Sequence, residues 1–209
     1  MSKQEELVFP SNYQRIKQDY LEGLGIPEEA TGYEMHTNRT NGIFVNYPVS
    51  EEITMPFDDP QEIIDELHKS MDDNTGLIEV KNGTTAAGRD YIYEIIKHLM
   101  VDDKDQLIGV EYTVNMNIRM ENTIQFINAS FAEAGITGMR DSLVAAAYAE
   151  ENNISFEETM KQWFEDPYDS DYKTGFLMNY SEREEFDGEY PWHALSEARS
   201  LVKYIIDNN

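Results

Sequence analysis

Val110-Glu111-Tyr112-Thr113-Val114-Asn115-Met116-Asn117-Ile118-Arg119 alternates apolar and polar residues without a break. Successive side chains of a strand point to opposite faces. The run therefore sets Val110, Tyr112, Val114, Met116 and Ile118 against a core, and the residues between them in water or under polar cover. Working outward, Glu121-Asn122 turns the chain and residues 123–131 return as a second strand. Upstream, residues 89–100 read as a strand on Tyr91-Ile92-Tyr93, although Tyr91, Ile95 and Leu99 also fit helical spacing. Residues 77–81 pair with that strand through an expected type I′ turn at Asn82-Gly83. A further short strand, residues 43–47, is closed by Pro48.

Helix signals flank these strands. Asp59, Pro60 and Glu62 combine an N-cap, a proline at the first helical position and a capping-box acid, and Ile63, Ile64, Leu67 and Met71 follow at helical spacing. A first helix is expected from Ser11 and Gln14, with Tyr13, Ile16 and Tyr20 on one face, and residues 28–42 read as a polar loop. Downstream, a helix over 139–151 is expected to turn Leu143, Val144, Ala146 and Ala147 inward. Ser155 with Glu158 caps another, carrying Phe156, Met160, Trp163 and Phe164. The last, 195–207, has Leu195, Ala198, Val202 and Ile205 on one side. Grouped strands with helices before and after predict an α+β fold, an antiparallel meander of at least four strands covered by helices. The expected organisation is one domain over 1–209: an N-terminal helix and loop (1–41), an α/β core (42–154) and a C-terminal helical extension (155–209).

Composition limits function. Sixteen basic residues against forty-one acidic ones give a net charge of −25 in 209 residues. Phosphates and anionic membrane surfaces need basic patches, so neither nucleic acid nor membrane is an expected partner, whereas a basic protein or a cation is favoured electrostatically. There is no cysteine, which excludes disulfides, thiolate metal sites and cysteine nucleophiles. The opening residues lack the basic-then-apolar pattern of a signal peptide, and no apolar run nears the ~20 residues of a membrane span. The chain is expected to be cytoplasmic; its oligomeric state stays open.

The order of elements over residues 42–148 resembles the bacterial Mog1/PsbP-like α/β sandwich proteins. The likeness rests on a short strand ending at Tyr47-Pro48, an amphipathic helix, a hairpin and a long alternating strand. Phe131-Ala132-Glu133-Ala134-Gly135-Ile136-Thr137-Gly138-Met139-Arg140-Asp141 then leads into a helix. It is a likeness of layout. It implies a binding or accessory role without a shared catalytic site, and it assigns no functional residue.

No metal or cofactor is expected. His36, His68, His98 and His193 form no H-E-x-x-H pattern. Asp166, Asp169 and Asp171 miss the EF-hand spacing, with Lys173 where an oxygen ligand belongs. Gly135-Ile136-Thr137-Gly138, near Arg140, reads either as an anion-binding helix start or as a tight turn that needs glycine. The most unusual stretch is 168–192. Tyr168, Tyr172, Phe176 and Tyr180 recur every four residues among acids, followed by Trp192-His193. Tyr168, Tyr172, Glu182, Glu184, Glu185, Trp192 and His193 are therefore the candidate binding residues. Their aromatics either recognise a basic partner or anchor the segment on the domain, with the acids facing out. A non-catalytic binding or accessory protein is the leading expectation. The alternatives are a hydrolytic enzyme with a site of scattered residues, and an inhibitor of a basic toxin or nuclease.

Overall fold

The computed structural model describes residues 7–50, 54–102 and 106–209. Seven antiparallel strands form one open sheet in the order β1-β2-β3-β7-β6-β5-β4. They are β1 (Gln14–Arg15), β2 (Thr31–His36), β3 (Thr40–Val49), β4 (Thr75–Thr84), β5 (Asp90–Val101), β6 (Leu107–Arg119) and β7 (Ile124–Glu133). The helices are α1 (Gln18–Gly23), α2 (Pro60–Ser70), α3 (Met139–Asn152), α4 (Phe156–Met160) and α5 (Ala194–Asn208), with 3-10 turns at Tyr180–Glu182 and Glu184–Phe186. The α+β class and the antiparallel sheet are as the alternation predicts. Strand β6 lies between β5 and β7, with Val114 opposite both Ile95 and Ala129.

Parity decides the two faces. Phe44, Tyr112, Val114, Met116, Ile118, Ile127, Ala129 and Phe131 share the inner face and pack against Leu195, Ala198, Leu201, Val202 and Ile205 of α5. Full burial of each large aliphatic side chain is worth about 1.5–3 kcal/mol, so α5 is the principal cover of that face. The outer face is covered only in part. Helix α2 lays Ile64 on Leu77 and Val80, while Phe57 packs with Ile92 and Ile124. Asp59 caps α2 by accepting from the Gln61 amide at 3.1 Å, as its sequence predicts.

Several expectations are corrected. No helix begins at Ser11. Gln14–Arg15 instead pairs with β2, which buries Tyr13 and Ile16 and leaves Tyr20 exposed. Within the expected polar loop 28–42, β2 and the start of β3 form a hairpin closed at Thr37 by a Thr37 N–H bond to the Thr40 carbonyl at 2.9 Å. Two neighbouring strands satisfy the β2 backbone, so its polar side chains can stay outside. Asn82 and Gly83 are not a turn. They lie inside β4 opposite Ile92 and Tyr91, and the chain reverses at residues 85–89 with Gly88 at φ +80°. In α3 the buried residues are Arg140, Val144 and Ala145, whereas Leu143, Ala146 and Ala147 are exposed.

The free edge of β4 is closed by the C-terminal segment. The Phe176 amide donates to the Thr75 carbonyl at 2.8 Å. The Tyr168 hydroxyl accepts from the Val80 amide at 2.5 Å and donates to the Val80 carbonyl at 3.0 Å. One phenol thus replaces a neighbouring strand at the edge, where unpaired groups invite association. Gly76 permits the close approach, because a Cβ there would stand 1.8 Å from the Phe176 carbonyl oxygen.

Candidate functional site

The residues singled out in the C-terminal segment do not converge on one surface. Tyr168 seals the β4 edge. Tyr172 stacks on His68 with ring centroids 4.0 Å apart and donates to the His68 carbonyl at 3.0 Å. Trp192 lies under the Arg39 guanidinium at 5.0 Å, and its carbonyl accepts from Thr40 Oγ1 at 2.5 Å. These three aromatics are anchors. Glu184 and Glu185 are exposed, with Glu184 accepting from Lys81 at 2.9 Å. Glu182 and His193 are buried, which overturns the expectation that the acids of this segment all face outward.

Glu182 is buried because it answers charges and donors already inside. Its carboxylate receives Lys97 Nζ at 2.8 Å, the Tyr112 hydroxyl at 2.8 Å and the Asn179 amide at 2.6 Å. Lys97 has no exposed surface, and the face of Phe176 lies 3.8 Å from its ammonium. Beside it, Asp141 accepts from Ser181 and Asn179, and its pKa is raised by burial and by the nearby Glu182 charge. Arg140, fully buried, donates to the Ser181 and Arg183 carbonyls, to Ser196 Oγ and to Asp187. Arg199 bridges Asp187 and Glu79, and Tyr93 donates to Glu79. This network clamps residues 179–199 to the sheet. Lys97, Glu182, Arg140, Asp187, Arg199 and Glu79 each meet an opposite charge, and Asp141 is held by Ser181 and Asn179, so the network is structural.

Two other sequence candidates are also occupied by the chain itself. The Gly138 amide at the start of α3 donates to Glu133 Oε2 at 2.8 Å, so the chain's own carboxylate fills the expected anion position, and Arg140 points inward. Asp166 accepts from the Tyr168 and Asp169 amides, both at 2.9 Å, and contacts His68 Nε2 at 3.0 Å. Its carboxylate therefore ties α2 to the segment. His193 uses Nδ1 to accept from the Leu195 amide at the start of α5. Burial, with Arg140 and Arg199 nearby, holds its pKa down to about 3. Among the described residues no group of three or more histidine, aspartate or glutamate side chains is placed to hold a metal ion.

The outer face holds a different arrangement. Between α2 and the sheet lies a cleft of about 720 Å³, walled by Tyr47, Met55, Ile63, Leu67 and Phe126 and rimmed by Glu62 and Glu66. Its floor carries Glu94 and Asn115, the first two rungs of a polar ladder that runs on to Asn128. Glu94 of β5 stands opposite Asn115 of β6, which stands opposite Asn128 of β7. Asn128 Nδ2 donates to Asn115 Oδ1 at 2.7 Å, leaving the Asn115 amide NH₂ to donate to Glu94. Burial pushes the Glu94 pKa up to about 7, against the smaller pull of that hydrogen bond. Among the described residues no lysine or arginine lines the cleft, and none is paired with Glu94. The sequence carries a faint trace of this site: Glu94 and Asn115 occupy outward positions of interior strands, where a one-sided sheet needs no specific side chain.

Among the described residues, no helix is long and apolar enough to cross a membrane. No protein-family model matches this chain. Nor does any curated protein match it in sequence, so its function is read from geometry and charge.

Proposed function

We propose that this chain is a non-catalytic binding protein that engages a basic partner through its acidic exterior, at the cleft between α2 and the sheet. The lining of the cleft carries the reading: Glu62, Glu66 and Glu94 beside Tyr47 and Phe126, with no basic residue among them. Concave, mostly apolar sites of about 300–1,000 Å³ with a few convergent polar groups are the usual form of a ligand site. The net charge of −25 supplies the long-range attraction that speeds encounter with a cation-bearing partner. Glu94 is held by an asparagine and not by a base or a second acid, which favours binding over hydrolysis. The resemblance of residues 42–148 to Mog1/PsbP-like proteins, with their accessory roles, points the same way.

The test is fluorescence anisotropy with a labelled lysine/alanine peptide and its glutamate/alanine counterpart. Binding is expected for the basic peptide alone, and it should weaken with added salt because exposed charges are screened beyond about 10 Å at 0.1 M. Equal behaviour of the two peptides at low salt would refute the proposal.

A further inference from the structure

We infer that the cleft receives the side chain of a single lysine from the partner, its ammonium on Glu94 and its methylene stem between Tyr47, Phe126, Ile63 and Leu67. This rests on the binding role proposed above and adds to it a ligand class and a contact atom.

Glu94 is the decisive residue. A carboxylate taken largely out of water normally finds a cation or accepts several hydrogen bonds. Here it has the Asn115 side chain and its own backbone amide, and no cation among the described residues. The ladder from Asn128 through Asn115 fixes the orientation of the carboxylate, so a bound ammonium meets an acceptor already positioned. Around it the walls are apolar and aromatic, with the Tyr47 and Phe126 rings edge to face at 5.4 Å. Such walls suit an aliphatic stem that carries its charge at the tip. A guanidinium is less well matched, because its fork needs two coplanar acceptors and the floor offers one carboxylate already engaged by an amide.

Other ligands fit less well. A metal ion would require several convergent ligands, and the described residues contain no such group. An anion would meet Glu62, Glu66 and Glu94. The remaining titratable group of the lining is Tyr47, so Glu94 and the two α2 glutamates together set the charge seen by the ligand. Because Glu94 titrates near 7, an arriving ammonium displaces a proton from it at neutral pH.

The experiment is a titration of the full chain, followed by amide chemical shifts, with a capped peptide holding one lysine. Matched peptides carrying norleucine or arginine, and free n-butylammonium, serve as comparisons. The lysine peptide is expected to saturate and to shift the amides of Glu94, Asn115 and Leu67. Glu94→Gln, which keeps the shape, should weaken it at least about tenfold, as should norleucine, because a hydrogen bond to a charged group is lost. Glu185→Gln, on the far segment, should leave it unchanged. On the unmodified chain, affinity should rise between about pH 6 and about pH 8, as Glu94 ionises through its midpoint of about 7. If the lysine peptide binds with no dependence on Glu94 or on pH, the lysine pocket is refuted while attraction of basic partners stands. Equal binding by arginine or by free n-butylammonium overturns the assignment to a peptide lysine. If no basic peptide binds at low salt, the binding role fails with it.

Discussion

Replacing Glu182 with Ala tests whether the C-terminal segment is part of the domain or an accessory to it. The substitution removes the acceptor of Lys97, Tyr112 and the Asn179 amide at once, and leaves an ammonium with no exposed surface beside the ring of Phe176. Breaking a buried pair by deleting one partner costs about 3–5 kcal/mol, since the remaining charge stays desolvated. For a chain of 209 residues each kcal/mol moves the midpoint by about 2–4 °C. A drop of roughly 6–20 °C is therefore expected in thermal unfolding followed by circular dichroism. The sign of the coupling is equally specific. Adding Lys97→Met to Glu182→Leu should recover part of the loss, because the apolar pair removes the stranded charge while the Tyr112 hydroxyl and the Asn179 amide still lack their acceptor. Reversing only Glu184 and Glu185 should shift stability by no more than about 0.5 kcal/mol, as both are exposed. A Glu182→Ala chain that melts like the parent, or a double variant no better than the single one, would show that the pair does not hold the segment.

Two further outcomes follow from other contacts. Tyr168→Phe removes the hydroxyl that serves both backbone groups of Val80. It should cost about 1–3 kcal/mol and promote concentration-dependent association through the bared edge, visible by light scattering; a monomeric variant of parental stability would refute the edge-sealing role. His193→Asn keeps an acceptor for the start of α5 but removes the titration. The folded-state pKa is lowered from 6.5 to about 3, so the stabilisation by the neutral ring is present above about 6.5 and lost as pH falls toward 3. The variant's acid-unfolding midpoint should move to lower pH, and an unchanged or higher midpoint would count against burial of the neutral ring.

Local signals in the chain were legible where the residue and its partner lie close in sequence. The alternation of β6, the Asp59 cap and the Ser155–Glu158 capping box all appear as written. Where the partner is remote, the local pattern misleads. Asn82-Gly83 has turn chemistry, but the long pairing of β4 with β5 overrides it, and the Tyr91 ring fills the space above Gly83. Strand β2 is too polar to announce itself, and its neighbours β1 and β3 define it. The α3 residues Leu143, Ala146 and Ala147 look like a packing face, yet the helix turns Arg140 inward because Asp187, Ser196 and two carbonyls await it there. Glu182 looks like its neighbours Glu184 and Glu185, and only its partner 85 positions away distinguishes it. One clue was present: Lys97 shares the inward parity of Tyr93 and Ile95, and a lysine at a core position demands a buried acid. The cleft left less trace, since Glu94, Asn115 and Asn128 become a unit only through strand register.

The cover that α5 gives to the inner face also fixes an order of events during synthesis. The sheet residues that α5 protects are complete by Glu133, while Ile205 arrives 72 residues later. At roughly 5–20 residues per second, that gap lasts about 4–14 s. Through this interval Val114, Met116, Ile118, Ile127 and Phe131 have no lid, and for its first part the β4 edge waits for Tyr168 and Phe176. Assembly of the sheet before its cover is the step most open to aggregation, and therefore the step at which a chaperone would act on this chain.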